Sequence, residues 1–375
     1  MTDWSRLVRP ALVGLEPYDP GPSLEELKRS YGLDDIAKLN WNEGLLGPFP
    51  GVREAVLDEL DRAWMYPEQA YSDFREAIAS WLGTSATRVV PGHGIQALIA
   101  TVAHAFLEPG DRVVIPRPTY GLYAQVSSAA GAAVERVPGD GRRHDLEALA
   151  DAARRTQARL VWLCDPNNPT GSLVEESEWQ AFLDALPDGC AVVVDEAYVD
   201  YVDPARRLRR EQDVEAGRPV VVLRTFSKIF GLAGLRLGYA LAHESLAAHL
   251  DVVQEPFNVN RAALAAGRAS LGRLDLVEER RRGNASVRER FTRLLTELGA
   301  EPAPSEANFV LVRVGVDDLE LVEALLRRGL LVRPGSEFGL NEHVRITIGQ
   351  PELMERAAEE LGRAREELLA ARALS

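Results

Sequence analysis

Short apolar runs rich in β-branched residues alternate with longer amphipathic or Ala-rich segments between about residues 85 and 240. The runs have the length of strands and the segments between them have the length of helices. This alternation predicts an α/β domain in which helices cover a mostly parallel sheet. Two of the predicted helices span residues 96–107 and 175–185. The seven predicted strands span residues 88–90, 112–115, 133–137, 159–163, 191–194, 220–223 and 236–240.

The pattern changes after about residue 255, where long helical segments rich in Arg, Glu and Leu begin. We therefore expect a smaller α+β domain at residues 256–375, after a large domain at residues 51–255. The first fifty residues are dense in Pro and Gly, and they predict an extended arm, residues 1–50, that joins the small domain. The small domain is predicted to contain strands at 309–314 and 344–348 and helices at 319–327 and 352–372.

Composition and charge exclude several classes of function. The chain has 375 residues, of which 46% are hydrophobic, enough for a sizeable core. It carries 43 Lys and Arg against 57 Asp and Glu, a net charge of −14, which argues against nucleic-acid or membrane partners. Cys164 and Cys190 lie in no metal-binding pattern, so we expect neither a disulfide framework nor a bound metal. These features together predict a cytoplasmic protein.

Lys228 follows the apolar run 220–223 and precedes the glycine-rich segment 231–234. A lone lysine usually extends its amine to the protein surface, and this segment taken alone favours that interpretation. The alternative is an amine whose neighbours lower its pKa, so that it can attack a carbonyl group.

Two other polar residues follow apolar runs in the same way. Asp195 ends the run 191–194, where it is either a helix cap or a carboxylate that pairs with a protonated ring nitrogen. Asn168 lies in a turn after the run 159–163, and a turn alone needs no functional explanation. Because ligands bind at the carboxyl edge of open α/β sheets, an Asn, an Asp and a Lys at that edge together indicate a pyridoxal phosphate site.

The order of these motifs resembles that of the class I/II, fold-type I aminotransferases. It consists of Asn-Pro-Thr-Gly at 168–171, Asp-Glu-Ala-Tyr at 195–198, and Ser-Lys at 227–228 with Arg236 eight residues after the lysine. Within that family the chain resembles the histidinol-phosphate aminotransferases of histidine biosynthesis. The segments that carry this closer resemblance span nearly the whole chain and lie at 15–21, 42–43, 47–48, 65–67, 118–123, 230–236, 308–309 and 344–349.

The resemblance implies a pyridoxal 5′-phosphate enzyme with two catalytic residues. Lys228 would bind the cofactor covalently and move a proton at the substrate Cα, while Asp195 would keep the ring nitrogen protonated. Asn168 and Tyr198 would donate hydrogen bonds to the ring oxygen, and Tyr120 would stack on the ring, although core packing explains a tyrosine there equally well.

The cofactor phosphate needs a site of its own. The segment 91–96 precedes the predicted helix 96–107, so the free amides of Ile95 and Gln96 should face an anion. The resemblance adds Ser227 and Arg236 to this site. It also implies that Tyr66 reaches the phosphate from a partner subunit, so that the enzyme is a homodimer with shared active sites.

The substrates implied by the resemblance are a small-molecule amino donor and a 2-oxo acid. The enzyme would exchange an amino group with 2-oxoglutarate and glutamate by a ping-pong mechanism. A lone Arg in a strand usually marks an edge salt bridge. The resemblance instead makes Arg345 the anchor of the substrate anion, aided by Arg333, Tyr18 and Asn42. Two arginines suit a phosphate dianion better than a single carboxylate.

The chain departs from the family pattern at two places. Trp41, Gly44 and Leu45 replace the usual residues around Asn42, and Gln96-Ala97 replaces an acidic pair at the phosphate turn. These departures leave three alternatives open, namely an aromatic amino-acid aminotransferase, an enzyme like phosphothreonine decarboxylase, and a non-catalytic sensor that binds pyridoxal phosphate.

Overall fold

A seven-stranded sheet forms the centre of the computed structural model, which describes residues 3–17 and 21–374. Elements are numbered along the chain. In spatial order the strands are β2 (Val89–Gly92), β8 (Gly238–Leu241), β7 (Val220–Thr225), β6 (Ala191–Asp195), β5 (Leu160–Cys164), β3 (Arg112–Arg117) and β4 (Ala133–Pro138). Strand β8 runs antiparallel to both of its neighbours, whereas the pairs between β7 and β4 are all parallel. The predicted mostly parallel sheet is therefore confirmed.

The central strands are buried on both faces, which explains their uninterrupted apolar sequence. Val192, Val193 and Val194 have no exposed surface, although successive side chains of a strand point to opposite faces. The helices of this part are α2 (Val52–Leu60), α3 (Ser72–Leu82), α4 (Gly94–Phe106), α5 (Leu122–Ala130), α6 (Leu146–Thr156), α7 (Glu176–Ala185), α8 (Arg210–Glu215), α9 (Glu244–Val253) and α10 (Arg261–Leu271). Two groups of these helices cover the sheet, α4 with α5 and α9, and α6 with α7.

A second hydrophobic core lies around a smaller antiparallel sheet. In spatial order its strands are β12 (Arg333–Pro334), β13 (His343–Thr347), β10 (Phe309–Arg313) and β9 (Glu301–Pro302). The long helices α11 (Leu274–Glu297) and α13 (Pro351–Leu374) pack on each other, and α12 (Asp318–Leu326) packs on α13. Helix α10 instead packs on α2 and α3 with the larger core, so its packing does not follow the predicted boundary at residue 255.

The N-terminal segment contacts both parts of the molecule. A short 3₁₀ helix, Pro10–Leu12, lies against α5, and β1 (Ala37–Lys38) pairs in parallel with β11 (Leu330–Leu331). The predicted extended arm is wrong over α1 (Leu24–Tyr31), which begins at a capping box. There the Ser23 hydroxyl accepts from the Glu26 amide, and the Glu26 carboxylate accepts from the Ser23 amide. This local pair starts a helix despite the surrounding Pro and Gly.

The structure corrects the ends of several predicted elements by one or two residues. Strand β8 begins at Gly238 rather than at residue 236, because Arg236 has a φ of 56° and cannot belong to a strand. Helix α4 begins at Gly94, two residues before the predicted start, so Ile95 and Gln96 lie in its first turn. No helix among the described residues is both long enough and apolar enough to cross a membrane.

Candidate active site

The ends of three neighbouring strands bring the predicted reactive residues to one edge of the sheet. Cys164 at the end of β5 pairs with Asp195 at the end of β6, and Asp195 pairs with Leu223 of β7. Asn168 and Lys228 follow β5 and β7 by a few residues. The carboxyl ends of parallel strands meet at one edge, so the amide, the carboxylate and the amine share one site.

Lys228 is half-buried, and its amine has a polar neighbour on the N-terminal loop. The Nζ atom donates to the backbone oxygen of Trp41 over 3.0 Å and lies 5.6 Å from the centre of the Tyr198 ring. Burial, followed by the positive charge of Arg345, lowers the pKa of the Lys228 amine to about 7, against an opposing effect of Glu43. A substantial fraction of this amine is therefore neutral near pH 7.

Asp195 is 4% exposed and accepts two hydrogen bonds from the protein. Its Oδ2 accepts from the Tyr123 hydroxyl over 2.7 Å, and its Oδ1 accepts from the Ala197 amide over 3.0 Å. Burial raises the pKa of Asp195 to about 6, while the bond from Tyr123 and the charge of Lys228 act in the opposite direction. The carboxylate is fixed in orientation and titrates near neutral pH.

Two asparagines contact other polar groups of the site. Arg345 Nη1 donates to Asn168 Oδ1 over 2.5 Å, which leaves the amide NH₂ of Asn168 as a donor for a ligand oxygen. Asn42 Nδ2 donates to the Tyr198 hydroxyl over 3.1 Å. Asn42 has a φ of 56°, and its backbone N–H donates to Thr347 Oγ1 over 3.0 Å. These contacts hold the N-terminal loop against both sheets.

A cup of donors lies beside these groups at the start of α4. Gly238 pairs with Gly92 and with Thr225, so the loop before α4 and the chain after β7 lie side by side. Ser227, in that chain, accepts a hydrogen bond from Thr225 Oγ1 over 2.9 Å. The first turn of α4 has free amides, because no carbonyl precedes them in the helix. Amides and a hydroxyl here suit an anion.

Arg236 closes this cup, which we call the anion cup. A Cβ built on Gly94, whose φ is +75°, would lie 2.6 Å from Arg236 Nη2, so only glycine lets the guanidinium approach the helix start. The same Nη2 donates to Gln96 Oε1 over 3.2 Å, and Gln96 Nε2 donates to the Tyr120 hydroxyl over 2.9 Å. Gln96 therefore adds a side-chain link where only its backbone was predicted to act.

Two predicted residues have contacts outside this cluster, and a third is not described. Tyr66 is 78% exposed and stacks on Phe257 with ring centres 4.7 Å apart. Arg333 forms an ion pair with Glu337 but lies directly opposite Arg345 on the neighbouring strand. Tyr18 lies outside the described residues.

A buried group of charged residues lies behind the strand ends, and the sequence analysis did not find it. Arg210 bridges Asp165 (2.6 Å) and Glu196 (2.8 Å), and Arg224 bridges Glu196 (2.7 Å) and Glu211 (3.1 Å). Each of the five side chains is at most 10% exposed. We call it the strand-end network, because it joins the ends of β5, β6 and β7 through α8.

A family profile described as aminotransferase class I and II matches residues 34–361 of the chain. The chain belongs to the class I and II aminotransferases. It is 42% identical to a histidinol-phosphate aminotransferase of Symbiobacterium thermophilum over 94% of this chain and 97% of the relative. It is 39% identical to one of a Geobacillus species over 93% and 95% of the two chains.

One solved structure resembles this chain over nearly its whole length. It is a histidinol-phosphate aminotransferase of Sinorhizobium meliloti in complex with pyridoxal 5′-phosphate, with a TM-score of 0.89 and 32% identity over 96% of this chain and 98% of that one. The predicted fold-type I architecture, with its large sheet and smaller α+β part, is confirmed. The predicted family is confirmed as well.

The cofactor of this aminotransferase is pyridoxal 5′-phosphate, as predicted. The donor set of the described site fits that group in three respects. Lys228 supplies an amine with a lowered pKa, Asp195 supplies a buried carboxylate with free lone pairs, and the anion cup supplies amides and a guanidinium.

Tyr123 and the strand-end network are the parts of the site that the sequence analysis missed. Tyr123 lies within a recognised segment, three residues after Tyr120, and its ring contacts the Tyr120 ring. Its place in that segment was the available signal. Arg210 and Arg224 gave no comparable signal, because an arginine outside the predicted apolar runs is usually exposed to solvent.

Proposed function

We propose that this aminotransferase moves the amino group of histidinol phosphate, or of a closely related phosphorylated amine, to 2-oxoglutarate. Glutamate is the other amino compound of the ping-pong exchange. The relatives named above carry the histidinol-phosphate activity in their names. The observation that carries the proposal to this chain is the direct pairing of Arg333 with Arg345 on neighbouring strands.

Like charges directly opposite each other on a sheet repel, so such a pair is stable when an anion lies between or beside it. Arg345 is 4% exposed and Arg333 is half-buried, so their guanidiniums are partly withdrawn from water. Glu337 forms an ion pair with Arg333 and balances part of this positive charge. A phosphate ester presents more acceptor oxygens to two neighbouring guanidiniums than a carboxylate does, which supports a phosphorylated donor over an aromatic amino acid. Asn42 and Tyr18 complete the proposed substrate contacts.

Pyridoxal phosphate, when bound, supplies an aldehyde that condenses with amines and a ring that accepts electron density. In our proposal Asp195 holds a proton on the ring nitrogen, and the neutral Lys228 amine takes and returns the proton of the substrate Cα. Asn168 and Tyr198 donate to the ring oxygen, and Tyr120 packs on the ring face. The phosphate binds in the anion cup, with Ile95, Gln96, Ser227 and Arg236 as its donors.

The dimer is also part of this proposal. Several large side chains are exposed on the part of the molecule built around the seven-stranded sheet. Trp64 and Tyr66, between α2 and α3, are 81% and 78% exposed, and Val252 on α9 is 80% exposed. Burial of such side chains is favourable, and a second copy of the chain is the occupant that a shared active site requires. Tyr66 then contacts the phosphate in the partner's anion cup.

A substrate panel tests the proposed reaction. Purified holoenzyme is assayed with histidinol phosphate, phenylalanine and phosphothreonine, each with 2-oxoglutarate, and both glutamate and carbon dioxide are measured. We expect glutamate from histidinol phosphate at a kcat/KM at least about tenfold above that for phenylalanine, the preference expected for a paired anion site. Preference for phenylalanine, or release of carbon dioxide from phosphothreonine, would overturn the proposed donor while leaving the cofactor site intact.

Covalent labelling tests the assignment of the reactive lysine. Borohydride reduction of the cofactor-loaded protein, followed by peptide mapping, should place the label on Lys228. Lys228→Arg keeps a positive charge but loses the reactive amine and serves as the control. A label on any other lysine of the wild-type protein contradicts the assignment.

Hybrid dimers test the shared site. Lys228→Ala and Tyr66→Ala each impair both sites of their own dimers. A mixed dimer places both changes in one site and leaves the other site native. We therefore expect mixing and refolding to restore up to about one quarter of the wild-type activity, from half of the dimers with one native site each. Absence of any recovery, with hybrids shown by mass spectrometry, would exclude a contribution of Tyr66 in trans.

A further inference from the structure

Tyr123 lies beneath the site and contacts two of its residues. It is fully buried, and its hydroxyl lies 2.7 Å from Asp195 Oδ2. Its ring meets the ring of Tyr120 edge-on, with centres 5.5 Å apart and an interplanar angle of 85°. Tyr123 therefore joins the carboxylate proposed for the ring nitrogen to the aromatic side chain proposed for the ring face.

The Tyr123 ring is held in place by a neighbouring strand. It stacks on Trp162 of β5, with ring centres 5.3 Å apart and an interplanar angle of 7°. Trp162 Nε1 in turn donates to Ser127 Oγ over 3.2 Å, and Ser127 lies one helical turn after Tyr123 on α5. Trp162 is thus held at its face and at its edge by two residues of one helix. The position of the Tyr123 hydroxyl follows from this packing.

Asp195 retains acceptor capacity after it has bound Tyr123 and Ala197. A carboxylate has about four lone-pair sites, and the two protein donors use one on each oxygen. The titratable groups that interact electrostatically with Asp195 are Tyr123 of α5, Cys164 of β5, Lys228 after β7, and Glu196 and Tyr198 after β6. Among these, Tyr123 is the side chain that donates a hydrogen bond to the Asp195 carboxylate.

We propose that Tyr123 is a positioning residue for transamination, whose hydroxyl orients Asp195 and stabilises its ionised form toward the ring nitrogen of pyridoxal phosphate. The inference rests on the proposed role of Asp195. Burial and the adjacent Asp195 carboxylate hold the pKa of the Tyr123 hydroxyl well above its usual range, so this group remains a donor. A hydroxyl that stays protonated cannot act as the base, and its effect must pass through Asp195.

Replacement of the hydroxyl tests this role without removal of the ring. Tyr123→Phe holoenzyme is loaded with pyridoxal phosphate labelled with ¹⁵N in the ring, and the ¹⁵N chemical shift is recorded between about pH 6 and 9, the range in which perturbed groups titrate. We expect a shift toward the unprotonated value, because a less stabilised carboxylate holds the shared proton itself. We also expect kcat to fall about 10- to 100-fold with little change in KM, since a hydrogen bond to a charged group is lost.

Two further variants separate positioning from general packing. Tyr239→Phe removes a buried hydroxyl that forms no hydrogen bond with Asp195 and should change neither readout. A fluorinated tyrosine at position 123 is a stronger donor and should move the ¹⁵N signal in the opposite direction to Tyr123→Phe. This variant keeps the native shape and therefore stays informative if Tyr123→Phe folds poorly.

The outcomes distinguish this inference from the proposed function. A wild-type ring nitrogen that is already unprotonated would refute the role of Asp195 itself. A protonated wild-type nitrogen whose signal and turnover do not change in Tyr123→Phe would overturn the positioning role alone. An equal loss in Tyr239→Phe would likewise assign the effect to packing.

Discussion

The rate at which pyridoxal phosphate attaches to the apoprotein depends on the neutral fraction of the Lys228 amine, because a protonated amine cannot attack an aldehyde. Burial and the charge of Arg345 lower the pKa of this amine from 10.5 to about 7. At about pH 7.5 roughly three quarters of such amines are neutral, against roughly one in a thousand for an ordinary lysine. We therefore expect attachment at neutral pH to be hundreds of times faster than the ordinary pKa allows.

Two substitutions around Lys228 should move the midpoint of this pH dependence in opposite directions, and a third should leave it in place. Arg345→Gln removes a positive charge and should raise the Lys228 pKa, so the midpoint moves to higher pH. Glu43→Gln removes a negative charge and should lower it. Arg345→Lys keeps the charge and serves as the matched control, with a midpoint close to that of the wild type.

Stopped-flow absorbance of apoprotein mixed with pyridoxal phosphate, at a series of pH values, measures the attachment rate. The same reaction with a free alkylamine, analysed in terms of its own neutral fraction, gives the pH dependence that belongs to the cofactor. The attachment rate of the apoprotein at each pH is divided by the rate of the free-amine reaction, and the remaining pH dependence is that of the Lys228 amine. A wild-type midpoint near pH 10, or shifts of the same sign in Arg345→Gln and Glu43→Gln, would refute the electrostatic reasoning.

Three other perturbations test the packing and charge of the site. Arg210→Met leaves two buried carboxylates without their shared partner and should lower the free energy of unfolding by about 3–5 kcal/mol in urea titrations; Arg293→Ala, which breaks an exposed pair, should change it by less than about 1 kcal/mol. Gly44→Ala directs a Cβ into the carbonyl oxygen of Lys228, so equilibrium titration should show much weaker cofactor binding. The pKa of Asp195 is raised to about 6, so its contribution to apoprotein stability, about 3 kcal/mol, is present below about pH 4 and lost as the pH rises through 6. The difference in unfolding free energy between the wild type and Asp195→Asn should therefore change by about 3 kcal/mol between the two ends of this range.

The central sheet and the edge that carries the site could be predicted because their sequence signals are local. A parallel strand that is buried on both faces reads as an unbroken apolar run, as in 220–223 and 191–194. The polar residues that follow these runs, Lys228 and Asp195, then lie together by the geometry of the sheet alone. The anion cup was predictable for the same reason, since a glycine-rich turn before a helix signals free amides.

The remaining parts of the site depend on contacts between distant segments. Arg210 contacts Asp165, which lies 45 residues earlier, and neither residue differs in sequence context from a solvated surface charge. Tyr123 contacts Asp195 across 72 residues, and the contact requires the rotation of α5 about its axis as well as the pairing of β5 with β6. The pattern of apolar and polar residues along the chain did not specify that rotation.

The adjacent carboxylates Asp195 and Glu196 have different roles, since Asp195 belongs to the proposed reactive site and Glu196 belongs to the strand-end network. Successive side chains at the end of a strand point to opposite faces, so Asp195 meets Tyr123 while Glu196 meets Arg210 and Arg224. Replacement of a whole buried ionic group by apolar residues is often neutral or stabilising, so stability alone does not explain why the strand-end network is charged. Ion pairs are directional, however, and each guanidinium here bridges two separate chain segments. The network therefore fixes the relative positions of the strand ends, and with them the distance between the amine, the carboxylate and the amide that the proposed reaction requires.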